Sequence, residues 1–412
     1  MTNSTMALLV AVALAASPAL AGDHADHGKS GAAAAVAAPA DRQNVWKAML
    51  AKPSLAITTA FDGKGRLWLA TIRGRHLYVS HSDDRGNTLS APVKLNVEPE
   101  DILGDGENRP KIVVREGKVY VSYTRGLEKP MTGDIRFSRS LDGGRSFSAP
   151  LTVNDNREII SHRFETLAVN DRGQVSLAWL DKRDLSAAIR KGEKYIGAAV
   201  YYAVSDDGGA SFQPNIKAAD HSCECCRVAM ALDTDGTPVI FWRHIYGKNE
   251  RDHAMLRLDG KSSPIRVSHD RWEVDACPHH GGALSIAPDG VYHFVWFDNA
   301  PERHGLFYAR STDQGKTFSA PQTFGNFEAQ AGHPHVLSFG KAVHVVWKEF
   351  DGQNSVIRGM SSADGGRSWS PPRRIAATAG ASDHPLLIAD GTQPYLSWNT
   401  AKEGFRLIGM EP

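Results

Sequence analysis

All four cysteines of the chain fall in two short stretches, and both stretches are dense in other metal-binding side chains. His221-Ser222-Cys223-Glu224-Cys225-Cys226-Arg227 holds three of them, and Asp275-Ala276-Cys277-Pro278-His279-His280-Gly281-Gly282 holds the fourth beside two histidines. Gly332-His333-Pro334-His335 and Asp383-His384-Pro385 continue the theme without cysteine. Thiolates with imidazoles are the donor set of Cu(I) and Zn(II). Three cysteines within four residues crowd one tetrahedral ion. That favours a copper ion, in a site of one or more ions, with a zinc ion as the alternative. Cys223, Cys225, Cys226, Cys277, His279 and His280 are the main expected donors, with His333, His335 and His384 secondary. The competing reading is disulfides with no metal, since four cysteines allow three pairings. Cys277 can take one partner, and the other two must then bridge each other over a very short loop. Only Cys223–Cys226 is relaxed enough for that, which leaves Cys225 for Cys277. Both readings remain open at this level.

For these stretches to share a site, the fold must carry four distant segments to one face. A repeat does so. The phrase Ser-x-Asp-x-Gly-x-Ser/Thr-aromatic recurs at Ser82-Asp84-Gly86-Thr88, Ser140-Asp142-Gly144-Ser146, Ser205-Asp207-Gly209-Ser211, Ser311-Asp313-Gly315-Thr317 and Ser362-Asp364-Gly366-Ser368, with Leu89 in place of the aromatic in the first. Its Asp can accept backbone N–H bonds within a tight turn, and its Gly supplies a positive φ. A second repeat sets a turn glycine (Gly65, Gly117, Gly173, Gly236, Gly290, Gly340, Gly391) before a β-rich run. The runs close on Thr71, Tyr123, Trp179, Trp242, Trp296, Trp347 and Trp398. Strand alternation is visible in Lys118-Val119-Tyr120-Val121-Ser122-Tyr123. Seven units at a period near 50 residues predict an all-β, seven-bladed β-propeller, with six blades as the alternative. The fourth unit lacks the phrase. The seventh, from Ala381, has room for three strands, so Asn44–Leu50 is expected to supply a fourth and close the ring. Each Cys/His stretch precedes the first strand of units four to seven. Innermost strands start on one face around the channel, so the donors are expected to converge there.

The repeated phrase resembles the Asp-box of the sialidase-like (BNR-repeat) propellers, over about residues 50 to 412. In that family the box is a structural turn between the outer two strands of a blade, so it identifies a scaffold, not an activity. The resemblance implies an exo-sialidase-like glycoside hydrolase as an alternative function. Such enzymes use three arginines for a substrate carboxylate, a Tyr–Glu nucleophile pair, an Asp acid/base and an Arg-Ile-Pro motif near the first blade. Here that region reads Lys52-Pro53-Ser54-Leu55-Ala56-Ile57, without the arginine, and no Tyr–Glu pair is recognisable. Catalytic residues are therefore unassigned. Arg109, Arg163 and Arg227 open units two, three and four and are candidates for binding an anion. Asp181, Asp298 and Glu349 follow the strand-closing aromatics and read as solvated loop carboxylates. The run Cys223 to Cys226 is also similar to the Cys-x-Cys-Cys motif of a thioredoxin-like family of periplasmic copper-handling proteins.

Composition narrows the field. The chain has 412 residues, 42% hydrophobic, ample for a large core. Lys plus Arg (47) balances Asp plus Glu (46), which gives no electrostatic footprint for nucleic acid and no charge run for a membrane surface. Residues 1–21 read as a cleaved signal peptide, with an apolar stretch from Met6 to Ala16 and a small-residue site at Pro18-Ala19-Leu20-Ala21. The stretch is too short to span a membrane. Residues 22–43 read as an Ala-rich tether and 44–412 as the propeller, placing the protein in the periplasm or outside the cell. Cleavage after Ala21 would leave Gly22-Asp23-His24, whose amine, two amides and His24 imidazole suit Cu(II) or Ni(II). Longer loops are expected at Thr124–Asp134, Asp181–Ile196 and Arg243–Arg257. The reading is an exported metal-binding propeller for metal handling or redox. Its partners would be a metal ion and a periplasmic protein or an anionic sugar; the alternatives are the glycoside hydrolase and a non-catalytic scaffold.

Overall fold

A computed structural model of the protein describes residues 39–410. The expected signal peptide, His24 and the expected tether before residue 39 lie outside the described residues. Seven antiparallel blades, arranged in six sheets, follow one another along the chain. Each starts on the axis with a short strand: Ile57–Phe61, Lys111–Arg115, His162–Val169, Ala229–Leu232, Ala283–Ile286, Gly332–Phe339 and Leu386–Ala389. Each of these packs beside the next, and the last returns to the first, so the ring closes with seven blades. Blades three and four are joined into one nine-stranded sheet, because Ser222, ending blade three, pairs with His244 of blade four.

The second strand of each blade carries the core. Tyr123, Trp179, Trp242, Trp296, Trp347 and Trp398 are fully buried. Except for Trp242 Nε1, their polar ends still find partners. Trp179 Nε1 donates to Asp181 at 2.9 Å, Trp347 Nε1 to Glu349 at 2.7 Å and Trp398 Nε1 to the Asp383 carbonyl at 2.8 Å. Truncating such a ring costs about 3–5 kcal/mol in a packed core.

The repeated phrase forms the turn between third and fourth strands. In the second blade Asp142 Oδ1 accepts from Ser140 Oγ at 2.7 Å and from the Ser146 N–H at 3.0 Å, while Oδ2 accepts from Ser146 Oγ at 2.6 Å. The turn also makes the seam between blades. A Cβ on Gly144 would overlap Trp68 of blade one, and one on Gly209 would overlap Phe137 of blade two. At the closure, a Cβ on Gly86 of blade one would come within 3.2 Å of Phe405 in blade seven. The fourth unit keeps a shortened turn that the sequence reading missed. Asp259 accepts from the N–H groups of Lys261 and Ser262 at 2.9 and 2.8 Å.

Four expectations are corrected. Asn44–Leu50 is not a strand; it lies inside helix α1, Pro39–Ala51. The segment is rich in Ala, Arg, Gln, Lys, Met and Leu, which favour helix, and has proline at its first position. The last residues of the expected tether, 39–43, belong to the same helix. Blade seven therefore has three strands. Side chains close the ring instead: Thr59 Oγ1 donates to Ser397 Oγ at 2.8 Å and Asn399 Nδ2 to the Leu55 carbonyl at 2.9 Å. Arg243–Arg257 is a hairpin of Pro238–Tyr246 and Glu250–Arg257, not a long loop. Asp181–Ile196 folds as helix α2, Arg183–Lys191, stopped by Gly192 at φ 70°.

The seam geometry separates two neighbouring glycines. Gly143 (φ 71°) has nothing within 4 Å of a built Cβ, whereas Gly144 (φ 78°) meets Trp68. Gly143→Ala should cost about 1 kcal/mol, from backbone strain alone. Gly144→Ala should add about 1–3 kcal/mol of overpacking. Urea unfolding of both variants checks this, and equal losses would refute the seam role.

Candidate functional site

The backbone pairing that fuses blades three and four also builds the cysteine group. Beyond Ser222 the Cys223 N–H bonds to the Arg243 carbonyl at 3.0 Å, and a tight turn follows through Cys226. Cys223 Sγ lies 3.8 Å from Cys225 Sγ and 3.7 Å from Cys226 Sγ, and one sulfur from each cysteine converges on a common point. All three are buried with Phe164, Leu180, Val228 and Trp242. All four cysteines are free thiols, and exposed Cys277 reaches Cys225 from blade five. Cys223/Cys226 is one of the pairs that the disulfide reading would join, but its sulfurs stand 3.7 Å apart, at contact distance and not bonding distance.

The group is set up to hold negative charge. Arg251 Nη1 donates to Cys223 Sγ at 3.1 Å. Hydrogen bonds from Cys225 and Cys226, aided by Arg243 and Arg251, pull Cys223 well below an ordinary thiol against the effect of burial. Cys225 is pushed up because its proton is shared with Cys223, Cys226 and Cys277. Cys223 is thus the sulfur that most favours the thiolate, with Cys225 and Cys226 as its donors.

The histidines form a second, separate group around a residue that the sequence reading missed. Glu107 is 4% exposed. Its carboxylate accepts from Arg227 Nη1 at 2.8 Å, from the N–H groups of Arg227 and Gly281 at 3.2 and 2.9 Å, and lies 3.2 Å from His333 Nδ1. His384 Nδ1 is 3.6 Å away. The His333 and His384 rings stack at 3.5 Å, and His280 stacks on the other face of His333 at 4.4 Å. Gly106 makes room, since a Cβ there would overlap the His384 ring. Glu107, His333 and His384 offer three ligand atoms within 4.8 Å, but stacked rings cannot both aim an in-plane lone pair at one ion. The group is a buried ion-pair hub. Burial drives His384 far below an ordinary imidazole, so it is neutral. Arg227, His333 and the backbone hold Glu107 well below an ordinary carboxyl despite burial.

The expected single Cys/His set is therefore corrected to two groups. His279 is exposed and belongs to neither; His335 instead accepts from the Leu387 N–H at 3.2 Å and lines the channel. Phe164, His221, His279 and His333, which flank the two groups, all have left-handed φ, at 62°, 57°, 53° and 52°. Backbone strain of this kind concentrates at functional sites.

The three arginines do not share an anion. Arg109 forks onto Asp383 at 2.9 and 2.7 Å, and Arg227 is held by Glu107. Only Arg163 lacks a carboxylate partner among the described residues. The acids expected to be solvated are buried instead: Asp181 and Glu349 hold tryptophans, and burial raises Asp298 to about 8. A channel cavity of about 230 Å³ is lined by Thr58, Lys111, Thr166, Met230, Leu284 and His335 among others. Burial lowers Lys111 there to about 8 and raises Glu165 nearby.

No protein family matches the sequence, and no curated protein does. Solved structures do match. A lectin, BP39L from Burkholderia pseudomallei, is 12% identical with a TM-score of 0.55, over 87% of this chain and 99% of the lectin. A polysaccharide lyase of family PL25, an ulvan lyase, is 11% identical with a TM-score of 0.55, over 88% and 93%. A Hadza microbial sialidase is 15% identical with a TM-score of 0.46, over 84% and 73%. What the lectin and the lyase share with this chain is the β-propeller fold. No helix of the described residues is long and apolar enough to cross a membrane.

Glu107 gives a pH signature. The unfolded chain takes up a proton on it below about pH 4.5, its ordinary value, while the folded hub resists protonation. This contribution is full above pH 4.5 and lost as pH falls below it; neutral His384 adds destabilisation already below its ordinary 6.5. Glu107→Gln strands Arg227 and should cost about 3–5 kcal/mol at pH 7. The difference from wild type should shrink below pH 4.5. Denaturant titrations across pH check both, and a pH-independent difference would refute the charged hub.

Proposed function

We propose that this is an exported propeller that binds a soft transition-metal ion through Cys223, Cys225 and Cys226, with Cys277 as the fourth ligand, for metal handling or redox. Copper(I) is the first candidate and zinc the alternative. The observation that carries the reading is the sulfur spacing of 3.8 and 3.7 Å. Sulfurs about 2.3 Å from a tetrahedral ion stand about 3.8 Å apart. The two edges that run from Cys223 already have that length. Their apolar surroundings favour a soft ion over a hydrated one, and Arg243 and Arg251 offset the net negative charge of a polythiolate complex. The ion would hold the sulfurs as thiolates. The histidine group is tied to the Glu107 carboxylate through His333 and stacked ring on ring, and serves the scaffold.

A sugar-binding reading draws on the lectin and lyases of similar fold. It would use the channel cavity. A sialidase-type carboxylate clamp has less support, because Arg109 and Arg227 are already paired with Asp383 and Glu107. Turnover of a fluorogenic sialoside, or a glycan-binding screen, would move the assignment to this reading.

The deciding experiment is anaerobic titration of the reduced protein with Cu(I) and with Zn(II) against a competing chelator, with elemental analysis of protein from the exported fraction. One ion per chain is expected. A Cys223/Cys225/Cys226→Ser variant should lose it, and Cys277→Ser should weaken it while leaving three thiolates. Binding should weaken on acidification as protons compete for sulfur. A native protein with two disulfides and no metal, or reduced protein that loads none, refutes the reading.

A further inference from the structure

A second cavity, of about 390 Å³, lies off the channel, between α1 and the first three blades. Its walls include Trp46 and Leu50 of α1, Ile72 of blade one, Leu103 of the link to blade two and Arg163 of blade three. That volume lies in the range of small-ligand pockets.

Arg163 stands apart from the other arginines at the blade starts. It is 5% exposed. Its Nε has no acceptor, and the nearest partner of Nη1 is the Met131 thioether at 3.8 Å, a weak acceptor. Its other neighbours are ring faces, Phe164 at 4.7 Å and Trp46 at 5.9 Å. A guanidinium stays charged at any physiological pH, and a buried unpaired one is costly. Trp46 Nε1, on the same cavity, is also buried without an acceptor. Two buried donor side chains therefore border one cavity with no protein acceptor for either. The charge around them points the same way. Lys52 and Arg73 join Arg163 on the lining, and Asp105 is the one acid there. Asp105 Oδ1 is engaged by the N–H groups of Glu107 and Asn108, both at 2.8 Å.

We propose that this cavity binds a small anion, a carboxylate or an inorganic oxyanion, with Arg163 pairing its charge and Trp46 supplying a ring wall and a donor. The anion completes both unsatisfied donors and neutralises the one buried cation on the lining without a carboxylate partner. The site is independent of the metal reading, since it uses none of its ligands.

The test uses the full chain at low ionic strength with three probes: glucuronate, its neutral isostere glucose, and sulfate. Calorimetry or Trp fluorescence should show saturable one-to-one binding of glucuronate or sulfate, weakened by salt, and none of glucose. Whichever anion displaces the other identifies the source. Arg163→Gln should lose about tenfold or more, as expected for a charge-assisted contact. Trp46→Phe, which keeps the ring and removes the donor, should lose several-fold, and it serves if the arginine variant does not fold. Absence of saturable binding of both anions, or unchanged affinity in folded Arg163→Gln, overturns the site.

Discussion

One buried carboxylate ties this ring together. Glu107 sits in the link before the second blade and is contacted by the entry segments of blades four, five, six and seven, through Arg227, Gly281, His333 and His384. Sheets in a propeller otherwise meet only their neighbours, so a bond across the axis fixes what nearest-neighbour packing cannot. A carboxylate suits the task because its two oxygens accept several donors at once, and a low-dielectric site strengthens each bond while making any missing one expensive. Arg109 and Asp383 repeat the device on a smaller scale, joining blade two to blade seven while Asp383 also takes the Ile57 N–H of blade one. Closure therefore does not need a borrowed strand.

The periphery works by a different rule. Each repeated turn sets a left-handed glycine against a large side chain of the blade before it, as Gly144 does on Trp68 and Gly209 on Phe137. The same residue answers two demands, backbone conformation and close approach, and so the phrase recurs with little change. The hub occurs once, and nothing in its sequence repeats.

That difference explains what could be read from the residues. Turn glycines, buried tryptophans and the seven-fold count follow from local rules applied many times over, and the repeats report them. The cysteine group was legible for a related reason: three ligands within four residues need one turn to gather them. Glu107 was not, because its partners lie between 120 and 277 positions along the chain and only the ring brings them together. The buried states of Asp181, Asp298 and Glu349 were hidden likewise. A carboxylate after a strand reads as a solvated loop residue until the neighbouring tryptophan or arginine is in place. The helix at Pro39–Ala51 was misread by asking what blade seven lacked instead of what those residues favour.

The two donor groups differ in a way that bears on their roles. In the histidine group the carboxylate is already engaged by Arg227, two backbone N–H groups and His333, the rings are stacked, and burial drives His384 far below an ordinary imidazole. Adding a cation would require breaking an ion pair beside Arg227. In the cysteine group the sulfurs make only weak hydrogen bonds with one another, and the adjacent charges are cationic. Sulfur loses little when those contacts are exchanged for metal bonds, and the anionic complex gains the two arginines. The turn that holds the sulfurs is anchored by backbone pairing where blades three and four share a sheet, at Ser222 and His244. A backbone-anchored turn with weakly committed donors is the arrangement that ligand exchange needs, and it belongs to the cysteines and not to the histidines.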